Sequence, residues 1–149
     1  MVAYTDSLGF TKNSAAIPAF GYHRIGYIQI ELDFAAIAAA RVAAGVPALA
    51  ATDTLEIVKF PANTLVLSVG IDVTKAEGGT ATVDVGDSGS ATRYLSNADL
   101  NAVAHTASGL TAPHLYAAET GVLMTIDNNA TDVAVARVWF LVVDLTGTV

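Results

Sequence analysis

The sequence predicts an all-β, mainly antiparallel protein: a jelly-roll-like β-sandwich of about eight strands, with one short helix and an extended N-terminal arm. Three observations predict it. From Tyr22 onward, apolar and polar residues alternate over most of the chain, which is the period of a half-buried strand. Gly, Pro, Asn and Asp interrupt those stretches at short intervals, as hairpin connections require. Only Phe34–Ala44 shifts to a helical spacing. Residues 1–21 form the arm and residues 22–149 a single sandwich domain.

The arm has no period and is broken by Ser7, Gly9, Asn13, Ser14, Pro18 and Gly21. Its Tyr4, Phe10, Ile17 and Phe20 are too apolar for a fully solvated tail and suit docking on the body or on a neighbour. In the first strand Ile28, Ile30, Leu32 and Phe34 point one way, and Gln29, Glu31 and Asp33 the other. The alanine-dense segment that follows suits a short helix, capped by Asp33 and ended by Gly45. Phe34, Ile37, Ala38 and Val42 then lie on one stripe. The alternative is an alanine-rich loop.

After Pro47 and Asp53 the pattern turns β. Thr54–Phe60 is one strand, stopped by Pro61 and a turn at Ala62–Asn63. Thr64–Thr74 has the clearest alternation, with Leu65, Leu67, Val69, Ile71 and Val73 set against Thr64, Val66, Ser68, Gly70, Asp72 and Thr74. Glu77–Gly79 turns the chain into Thr80–Val85, where Ala81, Val83 and Val85 share a side. Gly86–Ser90 is a loop before a short strand near Ala91–Leu95. Residues 96–112 read as a long surface connection, the kind of loop that carries contacts. His114–Ala117 and Gly121–Asp127 read as hairpin-like segments, Asp127–Asn129 as a turn, and Thr131–Leu145 as a long closing strand.

That closing strand departs from simple alternation. Val138, Trp139, Phe140, Leu141, Val142 and Val143 are apolar on both faces, the pattern of a strand covered on both sides. In a two-layer sandwich the outer side meets water, so something else must cover it. The helix is one candidate and a second subunit the other. The lone Trp139 reads as core.

The bulk numbers point the same way. Only 14% of the residues are charged although 53% are hydrophobic, against a usual charged share of about 25%. Part of the apolar surface is then expected to lie against other chains. Fourteen acids against seven bases give a net charge of −7, which disfavours direct binding to nucleic acid. The seven basic residues are scattered singly. No apolar run reaches the about 18 residues of a spanning helix, and Met1–Gly9 lacks the features of a secretory signal. The expectation is a soluble chain made in the cytoplasm.

Motifs that carry chemistry are missing. With no cysteine there is neither a disulfide framework nor a thiolate nucleophile. Gly86-Asp87-Ser88-Gly89-Ser90 looks like the nucleophile signature of chymotrypsin-like proteases, with His23 and Asp72 upstream in the matching order. A polar turn explains those residues as well, and 149 residues do not provide the two barrels of such an enzyme. His23, His105 and His114 lack paired metal-ligand spacing. Asp84, Asp87 and Asp99 allow either a loose calcium or sodium site or solvated turn acids. Asn129-Ala130-Thr131 is a formal glycosylation sequon that fits turn chemistry equally well. No residue is therefore assigned a catalytic, cofactor or metal role, and the chain is expected not to be an enzyme.

The block Leu55–Leu67, Glu77–Asp87 after it, and the strand-then-alanine pattern of Ile28–Gly45 together resemble the capsid decoration, or cement, proteins of tailed bacteriophages. The resemblance implies a structural virion protein without catalytic residues. It implies a homo-oligomer, typically a trimer, that sits on the capsid exterior and bridges major capsid protein subunits. Segments 1–21 and 96–112 would then be the natural capsid contacts. A head-fibre, knob or tail component is the alternative within the virion. Outside it, a sugar- or calcium-binding β-sandwich remains open.

Overall fold

The computed structural model describes residues 24–108, 113–128 and 131–145. The predicted arm at 1–21, His23, and Asn129 and Ala130 of the sequon lie outside these. Among the described residues nine strands and one helix follow in order: β1 (Arg24–Asp33), α1 (Phe34–Ala43), β2 (Thr54–Phe60), β3 (Thr64–Lys75), β4 (Thr82–Asp87), β5 (Ser90–Asp99), β6 (His105–Ala107), β7 (His114–Tyr116), β8 (Thr120–Asn128) and β9 (Val135–Asp144).

The pairings are nested. β4 pairs with β5, β3 with β6 and β7, β2 with β8, and β1 with β9, all antiparallel. Folding such a nested ribbon over on itself gives two sheets, with orders β1-β9-β3-β6 (β7 also on β3) and β2-β8-β4-β5, the arrangement of a jelly roll. Because β6 and β7 share one side of β3, nine strands occupy eight sheet positions. The fold class read from the alternation is the one observed.

Between the sheets lies one hydrophobic core. Ile28, Val69, Val138, Phe140 and Val142 from the first sheet meet Phe60, Val83, Val85, Val122, Met124 and Ile126 from the second. Phe140 and Phe60 meet edge-to-face across the gap, ring centroids 5.3 Å apart, a favoured aromatic geometry. The helix forms where Asp33 leaves β1: the Ala36 amide donates to the Asp33 carboxylate at 3.1 Å, and Gly45 takes the left-handed backbone, φ +74°, that ends it. Phe34 and Ala38 are buried, whereas Val42 is 62% exposed. The predicted stripe therefore stops one turn short, because the last turn projects past the sandwich.

Four local expectations need correction. A bulge between Val66 and Ser68 breaks the alternation of β3. Beyond it Val69, Ile71 and Val73 face the core, but before it Thr64 and Val66 do, and Leu65 turns outward opposite Val143. One extra residue in a strand reverses which side chains face in. Residues 96–108 are not one long connection: β5 runs on to Asp99, and His105–Ala107 is β6, while 109–112 lie outside the described residues. The short polar strand had left no run of apolar residues to read. Next, β7 and β8 are not paired to each other, since β7 lies on β3 and β8 between β2 and β4. Finally, Trp139 is not core: its cross-strand neighbours Gln29 and Gly70 set it on the outer face, while Val138 and Phe140 are fully buried.

Side chains hold the loops to this frame. Glu77 accepts the amides of Asp132, Val133 and Ala134 at 2.7–3.0 Å, fixing the entry to β9. Burial pushes its carboxyl up, but the three amides outweigh that and hold it below the usual range. Asn101 bridges Gly79 and both backbone groups of Ala81.

Candidate functional site

The outer face of the first sheet is the most unusual surface among the described residues. Directly opposed residues of an antiparallel ladder share a face, so the register defines rows running across β1, β9, β3 and its short partners. The first row is Ile25, Val143, Leu65 and Leu115. The second is Tyr27, Leu141 and Ser68. The third is Gln29, Trp139, Gly70 and Ala107. The fourth is Glu31, Arg137, Asp72 and His105. Apolar groups thus dominate three rows and charge closes the fourth.

Antiparallel sheets that face water normally carry polar residues on that side. Here Ile25 is 71% exposed, Tyr27 50% and Leu115 49%, and Trp139, Leu141, Val143 and Leu65 are half-buried. The helix does not cover them. It joins the core through Phe34, which continues the inward parity of β1. Of the two covers expected for the closing strand, the helix is ruled out.

Gly70 makes the centre of the face flat. A Cβ there would fall 2.2 Å from Trp139 Cζ2, so the indole lies directly across the glycine. Tyr27 stacks on that indole at 6.1 Å and His105 at 6.0 Å, the latter within 4° of parallel. The Tyr27 hydroxyl donates to Gln29 Oε1 at 3.2 Å. Burial, and then the charge of Asp72, raise the Tyr27 pKa. In the charged row Arg137 Nε donates to Glu31 Oε2 at 3.0 Å, and His105 Nδ1 contacts Asp72 Oδ1.

A second polar cluster lies at the rim between the sheets. The Asp87 side chain is only 3% exposed. It accepts the Gly89 and Ser90 amides at 2.8 and 3.0 Å, the Tyr116 hydroxyl at 2.8 Å and two nitrogens of Arg93. Tyr94 in turn donates to Tyr116 at 2.7 Å. Burial would raise the Asp87 pKa, but Arg93, Tyr116 and the two amides prevail and hold it at about 2. The same burial pushes Tyr94 up to about 12 and Tyr116 higher still. His114 lies within 3.3 Å of Arg93 and is lowered by burial and by that guanidinium. Since Asp87 sits in β4 and Tyr116 in β7, the carboxylate clamps one sheet to the other.

The protease-like pentapeptide is therefore a turn. Its aspartate receives the amides two and three residues on, as an Asx turn does, and Ser88 is exposed. Asp72 is on the outer face with His105. The other aspartates considered for a cation are separately occupied: Asp84 accepts the Asn97 amide, and Asp99 the backbone and side chain of Asn101. Among the described residues no three His, Asp or Glu side chains gather into a metal-binding group, and no helix is long and apolar enough to cross a membrane. A cleft beside Glu77, Thr80 and Asp132 has its inner carboxylate engaged by the three amides described above. Sequence reasoning anticipated the apolar outer side of β9 but missed Ile25, Tyr27, His105 and Leu115. The signal for Ile25 and Tyr27 was their parity with Gln29 and Glu31.

No protein-family model matches the chain, and no curated protein does either. Solved structures do match. A chain of the acidic stable capsid of Helicobacter pylori bacteriophage KHP30 is similar with a TM-score of 0.56 and 14% identity, over 80% of this chain and 86% of that one. A chain of the cyanophage Pam1 capsid asymmetric unit reaches 0.58 and 21%, over 89% and 97%. One from the capsid of Ralstonia phage GP4 gives 0.54 and 16%, over 85% and 86%. The shares covered on the two sides are close, so the matched chains are of nearly this chain's length. This β-sandwich shares its fold, over most of its length, with chains found in phage capsids.

Proposed function

We propose that this chain is a structural protein of a bacteriophage virion: a decoration or cement protein that binds the outer surface of the capsid and bridges major capsid subunits. It acts through contact area and catalyses no reaction. The observation that carries this reading is the near full-length likeness of fold to similarly short chains of phage capsids. The exposed apolar face supports it, because a patch of that kind marks a surface that other chains cover. A homo-oligomer, a trimer as the sequence resemblance implies, would place several such contacts around one axis. Individually weak contacts then hold by avidity.

Adding the purified chain to assembled shells of its phage, and separately to unassembled coat subunits, tests this. Saturable binding to shells alone, with a higher shell disruption temperature and a sedimenting unit of three chains, is expected. A chain that ignores shells and binds tails, or binds a sugar instead, overturns the reading.

A further inference from the structure

We propose that the outer face of the first sheet is a self-association surface, meeting the same face of a second copy across a two-fold axis parallel to the strands, between β9 and β3. This deepens the assembly role proposed above and rests on that role for its setting in a virion. The contact itself is a property of the isolated chain.

The register selects both the occupant and the axis. A two-fold contact sets one patch against itself, so the patch must be its own complement. Reversing the charged row on a second copy places Glu31 against His105, Arg137 against Asp72, Asp72 against Arg137 and His105 against Glu31, in the order the pairings fix. Every carboxylate meets a basic side chain. The apolar row, reversed in the same way, sets Ile25 and Val143 against Leu115 and Leu65. An axis perpendicular to the strands would instead lay the apolar row on the charged one, leaving charges desolvated against apolar groups.

Charge and area agree with this choice. The chain carries a net −7, which opposes the approach of two copies. In the charged row two carboxylates stand against a guanidinium and an imidazole, so the row carries far less net negative charge than the chain as a whole. Four strand positions and ten-residue strands give a footprint of roughly 600 Å² at the usual spacings. A standard stable interface buries about 800 Å² per partner, so the contact is reversible and concentration-dependent. The indole lying flat over Gly70 leaves no ridge to hold two aligned sheets apart. Aligned sheets keep their mean strand directions within about 30° of each other, which this axis satisfies, and the pairing is closest along the two strands beside the axis, which carry Arg137 and Asp72.

Mixing two charge variants tests that juxtaposition. In a monomeric chain a two-fold contact gives a dimer; in a trimer it joins trimers, to a hexamer where the two-fold axes meet the three-fold axis at right angles and to larger species otherwise. Sedimentation of the wild-type chain over a concentration series should show that association. Arg137→Glu and Asp72→Lys, each alone, put like charges together twice per contact and should weaken it by about tenfold or more. An equimolar mixture restores opposite charges at both places and should recover the associated species. Both side chains are substantially exposed, and circular dichroism of each variant checks that it remains folded. No concentration-dependent association in the wild type, or a mixture no better than its components, overturns the proposal. If shells still bind the wild type in that case, the decoration role stands and only the two-fold contact falls.

Discussion

Replacing Asp87 by asparagine removes the charge at the centre of the clamp between the two sheets. The folded carboxyl titrates at about 2, against about 3.9 in an unfolded chain. A difference of roughly 2 units corresponds to about 2.5 kcal/mol of stability. Because the folded value is the lower one, that stability is present above about pH 4 and is lost as pH falls through about 2. Asparagine does not titrate there and leaves Arg93 without its counter-charge. The Arg93 side chain is 28% exposed, so water recovers part of its solvation. The cost near pH 5.5 should therefore be about 2–3 kcal/mol, at the low end of what breaking a buried pair costs. Urea unfolding of wild type and Asp87→Asn at pH 5.5 and pH 1.5 measures both quantities. The wild type should lose about 2 kcal/mol more than the variant between the two pH values, because Glu77 and the other acids titrate in both. Equal losses, or a variant as stable as wild type at pH 5.5, would refute the clamp.

Phe140→Ala should cost about 3–5 kcal/mol in urea unfolding, since the ring is fully buried against Phe60. Gly70→Ala should drive the indole off the sheet, and the emission of Trp139, the protein's one tryptophan, should shift to the red. An unchanged spectrum contradicts the stacked geometry. Asp33→Ala should cost about 1 kcal/mol by leaving the Ala36 amide uncapped, and Asp33→Ser should recover most of it. Ser88→Ala should change stability by less than about 0.5 kcal/mol, as an exposed turn residue does.

How far the sequence could be read depended on the contrast between the two faces of each strand. In β1 polar Gln29, Glu31 and Asp33 separate Ile28, Ile30 and Leu32, so the inward face is unambiguous. Asp33 and Gly45 bound the helix because their chemistry is local. Across 64–67 both parities carry apolar residues, and nothing in polarity marks where the bulge falls. The same ambiguity hid Trp139, since a strand apolar on both sides does not declare which side faces in. β5 was cut short because an edge strand needs few apolar residues, and Tyr94, Leu95 and Ala98 sufficed. The outer face was half legible: β9 announced a side in need of cover. The row that joins Ile25 to Val143, Leu65 and Leu115 is made by pairings between distant segments, which no local window contains. The Asp87 turn was legible from its glycines and serines, but its bonds to Arg93 and Tyr116 were not.

The nested pairing also dictates when this protein can exist. Its innermost ribbon, β4 with β5, closes a short loop and can form early, whereas β1 must wait for β9, its one ladder partner among the described residues. During synthesis the first strand leaves the ribosome with Ile28, Ile30 and Leu32 unsheltered and stays so until almost the whole chain has followed. Such non-local closure makes folding slow and leaves the waiting strand open to capture by another nascent copy. Shortening the chain by its last ten described residues would therefore remove the strand on which the first sheet is assembled, and not a dispensable tail.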